Sequence, residues 1–335
     1  MQILTNFMRG FAIGIANIIP GVSGGTVALM LGIYQRLLDA ISALGLESLK
    51  ALVSGREAIK TELQRVDAAF LGALAAGAGV AIVASARLMG YLLETHHDPT
   101  YGLFFGLVLA SLVVPWRLIK HFSATSLVFC LVAIALVVGL TLAMSGEDRL
   151  QAAQKKALIK SNVSTTSPIS NNLARQTTVA TDSGNMLLFF ASGILAICAM
   201  ILPGISGSFM LLLVGVYFDI LVCINERQLM LLAIFAAGAA VGLLIFTRFL
   251  KYLLQRYGDA TMSFLFGLVI GSLYAIWPFK SYGMVAGRRV DIANIIPDSF
   301  TANEGLTLLT ILLGIIVVIV FMMIEGRQKR PKEQA

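Results

Sequence analysis

The stretch Asn17–Tyr34, NIIPGVSGGTVALMLGIY, decides how the rest of the chain is read. Apolar residues run up to Ile19 and resume at Val27. Between them stand Pro20, Gly21, Ser23, Gly24, Gly25 and Thr26. Proline lacks an N–H and a helix usually ends before it, while glycine permits a tight turn and a close approach. A helix is therefore expected to stop near Ile19 and a new one to start near Ser23–Thr26, with unpaired first-turn amides among small residues and hydroxyls. The chain repeats itself at Met200–Tyr217, MILPGISGSFMLLLVGVY, where Pro203, Gly204, Ser206, Gly207 and Ser208 form a second break. One such interruption in an apolar segment reads as a packing device. Two copies, each led by Pro-Gly, read as paired helix breaks with a shared purpose.

The composition around them identifies the solvent. Of 335 residues, 58% are hydrophobic and 13% charged, against about 25% charged in soluble proteins, and the mean hydropathy is +0.86. This is an integral membrane protein by composition. The net charge of +7 is spread over short polar loops, which fits membrane topology and anionic headgroups. No zinc-finger, RNP-like or basic-helix signature points to nucleic acid. Cys130, Cys198 and Cys223 lie in or beside apolar runs and read as small buried residues. His96 and His97 beside Asp98 do not make a metal site. The apolar N-terminus opens directly into the first break, so it is read as part of the mature fold rather than as a signal peptide.

The apolar segments form two groups of five: Ile3–Ile19, Val22–Leu44, Ala68–Leu93, Tyr101–Trp116 and Ser123–Met144, then Asn185–Leu202, Ser206–Ile224, Leu229–Leu254, Thr261–Phe279 and Gly305–Ile324. Their sequences correspond as well as their hydropathy. LAAGAGVAIVASARLMGYLLE at 74–94 aligns without gaps with FAAGAAVGLLIFTRFLKYLLQ at 235–255, and the register carries Asp98 onto Asp259 and Trp116 onto Trp277. An internal duplication follows. The expected organisation is a first transmembrane repeat at 1–144, a polar linker at 145–184, a second repeat at 185–325 and a basic cytoplasmic tail at 326–335. The linker reads as a short amphipathic helix followed by a Ser/Thr/Asn-rich loop, and 45–67 as a pair of surface helices at the membrane interface.

Charge placement gives the orientation. Lys50, Arg56, Lys60 and Arg65 put the 45–67 loop inside, as do Arg117, Lys120 and the basic tail for their segments. If each Pro-Gly pair makes a broken or re-entrant hairpin, three crossings remain per repeat, an odd number, so the second repeat sits upside down relative to the first. The expected fold is an all-α polytopic membrane protein of two inverted repeats. Parallel repeats, with each break inside one crossing helix, are the alternative.

Irregular backbone at membrane depth is tolerated only where protein or a polar cavity surrounds it. A helix N-terminus there attracts anions, and hydroxyls add donors. Ser23, Gly24, Gly25, Thr26, Ser206, Gly207 and Ser208 are the candidate contacts, with Asn17 close to the first break and Met200 in its place at the second. Arg87 and Arg248 occupy equivalent positions near the ends of long apolar helices. Each reads either as a snorkelling residue or as a fork for phosphate oxygens. Asp39 and Asp219 read as helix-end residues, or as sites for a coupling proton or cation. No nucleophile–base–acid cluster argues for an enzyme. A P-loop is excluded because no lysine follows GVSGGT.

The two motifs closely resemble those of the bacterial polyprenyl-phosphate (undecaprenyl-phosphate) transporter family, formerly a membrane domain of unknown function. By that resemblance, Pro20, Gly21, Ser23, Gly24, Gly25 and Thr26 match the first re-entrant region, and Pro203, Gly204, Ser206, Gly207 and Ser208 the second. It implies a multi-pass protein of the bacterial cytoplasmic membrane that returns undecaprenyl phosphate to the inner leaflet for cell-envelope glycan synthesis. Its expected partners are that lipid and the membrane lipids, with no nucleic acid and no cofactor beyond a coupling proton or sodium ion. A secondary transporter of a small soluble anion is the alternative reading.

Overall fold

The computed structural model describes residues 2–18, 23–144, 146–164 and 183–329. Pro20 and Gly21 lie outside the described residues. The first half runs α1 (Gln2–Ile18), α2 (Gly24–Met30), α3 (Tyr34–Ala43), α4 (Leu46–Val53), α5 (Arg56–Arg65), α6 (Ala68–Thr95), α7 (His97–Ser111), α8 (Val113–Leu118) and α9 (Ala124–Ala143). After α10 (Gly146–Ser164) the order recurs as α11 (Ser183–Ile201), α12 (Gly207–Val214), α13 (Tyr217–Asn225), α14 (Leu229–Arg256) and α15 (Gly258–Ala275). A hairpin of β1 (Lys280–Val285) and β2 (Arg288–Asn294) then precedes α16 (Ala302–Lys329). Among the described residues, seven helices are long and apolar enough to cross a bilayer, or eight if α12 and α13, bent by 103°, count as one span.

Local chemistry accounts for the main interruptions. Pro115 has no N–H to bond the carbonyl four residues back, and the helix breaks there into α7 and α8. Ile276 stands at the corresponding place in the second half, and α15 runs unbroken for 18 residues. Ser123 caps α9 by accepting the Ser126 N–H at 3.2 Å.

Without a hydrophobic drive between helices in lipid, close backbone approach through small residues holds the bundle. Within each half the first long helix packs on the third apolar segment. A side chain at Gly77 would collide with the Phe7 carbonyl, and one at Gly238 with that of Phe190, so α6 lies on α1 as α14 lies on α11. The remaining helices pack across the halves. Gly102 faces Thr307 and Gly106 faces Ile311, so α7 and α16 run parallel in contact. Gly267 faces Cys130 and Gly271 faces Val137, so α15 and α9 do likewise. Each half thus hands its last helix to the other, and the main core cluster draws on both, from Ala16 and Ala28 to Leu265 and Leu268.

The hairpin fills the polar stretch between the apolar segments Thr261–Phe279 and Gly305–Ile324, where the sequence reading places no element. Ala286 and Gly287 both take positive φ, 49° and 74°, the pair that a tight two-residue hairpin turn needs. β2 packs against α10, and the hairpin docks on the α6–α7 turn through Arg289–Asp98 at 2.9 Å and His97–Asp291 at 3.2 Å. This defines a hairpin end of the bundle. The α4–α5 end carries the helix pair expected at 45–67, and the loop before α9, whose Lys120 N–H donates to Asp259 at 2.8 Å.

Candidate functional site

The two helix breaks meet. Ser23 is the N-cap of α2; its hydroxyl accepts the Gly25 N–H at 3.2 Å and donates to the Leu202 carbonyl at 3.2 Å. Thr26 Oγ1 accepts the Gly204 N–H at 2.9 Å, and the Tyr34 hydroxyl donates to the Ile201 carbonyl at 3.0 Å. Ser23, Thr26 and Tyr34 are all buried. The start of α2 is thereby sewn to the end of α11 and to the second break. Gly25 is required at this seam, because an added Cβ would stand 2.7 Å from the Ile201 carbonyl oxygen.

The sequence reading leaves the amides of the first break unpaired, and the structure corrects this. Gly24 N–H donates to Asn17 Oδ1 at 3.0 Å, Gly25 N–H to Ser23, and Thr26 and Val27 N–H to the Ser23 carbonyl at 3.0 and 3.3 Å. The physical reason is local. Asn17 lies in the last turn of α1, within reach of the new helix, and serine is a strong N-cap. Asn17 itself remains exposed.

The second break is built differently. Ser206 is the N-cap of α12 but makes no side-chain cap; its hydroxyl pairs with that of Ser208 at 3.0 Å. Ser208 is exposed, Ser206 half-buried, and Pro203 and Gly207 are buried. Gly204 holds φ of +85°, and its N–H serves the first break. Met200 stands where Asn17 does in the first copy and brings no acceptor to α12. Among the described residues of the two breaks, only the second presents hydroxyls to the outside of the protein.

The arginines are not brought to the breaks. Arg248 on α14 donates through Nε to the Ser42 carbonyl at 3.2 Å and through a terminal nitrogen to that of Leu44, so it covers the C-terminus of α3. Beside it, Lys251 pairs with Asp39 at 2.7 Å. Arg87 on α6 is exposed, and among the described residues it has no hydrogen bond or ion pair.

A second polar cluster at the hairpin end was missed by sequence reasoning. A cleft of about 350 Å³ is lined by Thr95, His97, Asp98, Tyr282, Arg289 and Asn303. Burial alone would raise Asp291, but the His97 hydrogen bond and the charges of His97, Lys280 and Arg289 hold it below the usual carboxylate range. Burial brings Lys280 down to about 8, with Arg149 and Arg289 also lowering it and Asp291 opposing. The aligned pair Asp98 and Asp259 was the available signal. Each acid sits in the first turn of its helix and binds a neighbouring segment, Asp98 on the hairpin and Asp259 on the loop before α9. The duplicated tyrosine of GIY and GVY was likewise the signal for Tyr34.

Comparison with known proteins shows the family. The family model described as undecaprenyl phosphate translocase-like matches residues 13–290. The chain belongs to the undecaprenyl phosphate translocase-like family. Similar to this family member is a polyprenyl-phosphate transporter of Vibrio cholerae serotype O1, 36% identical over 84% of this chain and 79% of its own. Another is a polyprenyl-phosphate transporter of Staphylococcus aureus, 30% identical over 82% of this chain and 86% of its own. No solved structure matches. Family membership and the seven apolar helices make the chain a multi-pass membrane protein.

Proposed function

We propose that the protein moves polyprenyl phosphate, with undecaprenyl phosphate as the cargo, from the outer to the inner leaflet of the bacterial cytoplasmic membrane, so that the carrier is reused for envelope glycans. The observation that carries the reading is the seam of two helix breaks, Ser23 to Leu202 and Gly204 to Thr26, inside a bundle whose relatives are named for this lipid. The cost of crossing lies in the head, because a bare phosphate in hydrocarbon is prohibitive while an isoprenoid tail is at home there. In this reading the head passes along the seam and the tail stays in lipid. Asn17, Ser206 and Ser208 are the first contacts, since they offer polar groups outward. Ser23, Gly24, Gly25, Thr26, Gly207 and the turn at Pro203–Gly204 form the walls. No bond is made or broken.

Inverted repeats belong to the same proposal. Thr100 reaches back to the Leu92 carbonyl and Thr261 to that of Leu253, so α7 reverses α6 and α15 reverses α14. With α7 parallel to α16 and α9 parallel to α15, α6 and α14 then point oppositely. The basic α4–α5 end is cytoplasmic and the hairpin end external. Paired broken helices on inverted repeats recur in secondary transporters, where access alternates between the two sides.

The test is reconstitution into liposomes with leaflet-specific detection of a polyprenyl phosphate, with and without imposed proton and sodium gradients. Translocation above protein-free liposomes is expected, and its response to each gradient names the coupling ion. Protein that moves a soluble phosphate but no polyprenyl phosphate would refute the lipid reading.

A further inference from the structure

The duplication predicts that whatever one end of the molecule does, the other end has the parts to do. The two ends are not in the same state. At the α4–α5 end α3 is seated on α14, held by Lys251–Asp39 at 2.7 Å and by Arg248 on the Ser42 and Leu44 carbonyls. The fit is tight, since a Cβ at Gly45 would stand 2.7 Å from the Arg248 guanidinium. The equivalent of α3 is α13, and that of α14 is α6. At the hairpin end α13 makes no comparable packing on α6. It lies under α10 instead, with Lys155 over the Phe218 ring at 5.1 Å and Lys156 over that of Tyr217 at 5.8 Å.

Arg87, the equivalent of Arg248, is exposed there, and Gly90, which stands where Lys251 does, faces open space. The last residues of α13 and its cap, Ile224, Asn225 and Glu226, are exposed as well. An α-helix leaves its final carbonyls without partners unless a cap supplies them, and a cation near them is favoured. Arg248 meets that need for α3. In α13 the Cys223 and Ile224 carbonyls accept the Gln228 and Arg227 N–H groups at 2.8 and 3.4 Å, and Arg87 is the matching cation for the exposed Asn225–Glu226 turn at its end.

We propose that Arg248 and the Lys251–Asp39 pair form a latch that closes the α4–α5 end, and that Arg87 is the second latch, which closes the hairpin end by capping the carbonyls of α13 at Asn225–Glu226 when access is exchanged. The inference rests on the transport reading and names how the same path is gated. The latches are unequal. Val222 stands in place of Asp39 and Gly90 in place of Lys251, so the second latch has the arginine without the ion pair. The protein accordingly rests closed at the α4–α5 end and open at the hairpin end.

The experiment uses the full chain in proteoliposomes, with Cys130, Cys198 and Cys223 replaced by alanine. Asp39→Cys with Lys251→Cys is treated with a short bifunctional thiosulfonate, and so is Arg87→Cys with Asn225→Cys. The 39–251 pair is expected to bridge in the resting protein, and bridging should stop translocation of a short-chain polyprenyl phosphate by more than tenfold until a reductant restores it. The 87–225 pair should bridge only after the lipid is added. Recovery on reduction shows that the variant is folded. The charge exchange Asp39→Lys with Lys251→Asp should keep translocation within about twofold, whereas Lys251→Asp alone should cut it. Undiminished translocation with 39–251 bridged would overturn the first latch. Bridging of 87–225 that lipid never promotes, in protein that is translocating, would overturn the second. Bridging of 87–225 promoted by inorganic phosphate alone, with no lipid moved, would keep the latches and sink the lipid reading.

Discussion

At the scale of single residues, the seam between the breaks depends on a few polar atoms with no spare partners. Thr26→Val keeps the shape of the side chain but leaves the buried Gly204 N–H without an acceptor. It should cost about 1–3 kcal/mol and lower the midpoint of thermal unfolding in detergent, whereas Thr26→Ser should stay close to wild type. The glycines separate by what surrounds them. Gly25→Val would drive a side chain into the Ile201 carbonyl, while a Cβ at Gly79 meets nothing within 4 Å. Translocation assayed at matched membrane levels should fall severely for Gly25→Val and little for Gly79→Val. Equal loss in both would mean that the seam has no special role. Asn17, Ser23 and Thr26 were all readable as polar residues at a break. The bonds of Ser23 and Thr26 to the second break were not, because the Ser23–Leu202 bond spans 179 positions and the Gly204–Thr26 bond 178.

At the scale of elements, the hairpin carries two groups whose shifted titration ties its stability to pH. Lys280 lies near 8 in the fold and near 10.5 when unfolded. Between those values the unfolded chain holds the extra proton, so stability rises with pH there, at up to about 1.4 kcal/mol per unit. Below about pH 8 the lysine is charged in both states and the full burial penalty applies. Asp291 acts in the opposite sense. Its lowered value adds stability above the ordinary carboxylate range, and that stability is lost as pH falls through the lowered value. Thermal unfolding of the purified protein should therefore move up from pH 8 to 10.5, and Lys280→Met should abolish that rise. The hairpin went unread although its turn residues are explicit in VAGRR. A run of seven residues with a polar face between two long apolar segments carries a weak signal, and the packing of α10 and the α6–α7 turn supplies what holds it.

At the scale of the molecule, the interlocked halves and the proposed orientation make one prediction together. Introduced cysteines at His96 and at Tyr282 should react with a membrane-impermeant thiol reagent applied from outside, and those at Lys120 and Lys60 only from inside. Labelling of 96 and 120 from the same side would refute the inverted scheme.

What the sequence by itself determined is the membrane solvent, the duplication, the order of the apolar segments and the position of both breaks. These are local or periodic properties: hydropathy over some 20 residues, the missing N–H of proline, and repeated spacing. Only the tertiary structure decided that α16 packs on α7 and α9 on α15, that the first break is sealed by Asn17 and Ser23 while Ser206 and Ser208 stay open, and that Arg248 is engaged while Arg87 is not. Two near-identical motifs have the same intrinsic preferences. Their difference comes from the neighbours each is given, and a two-fold repeat in sequence does not oblige both copies to occupy the same state at once.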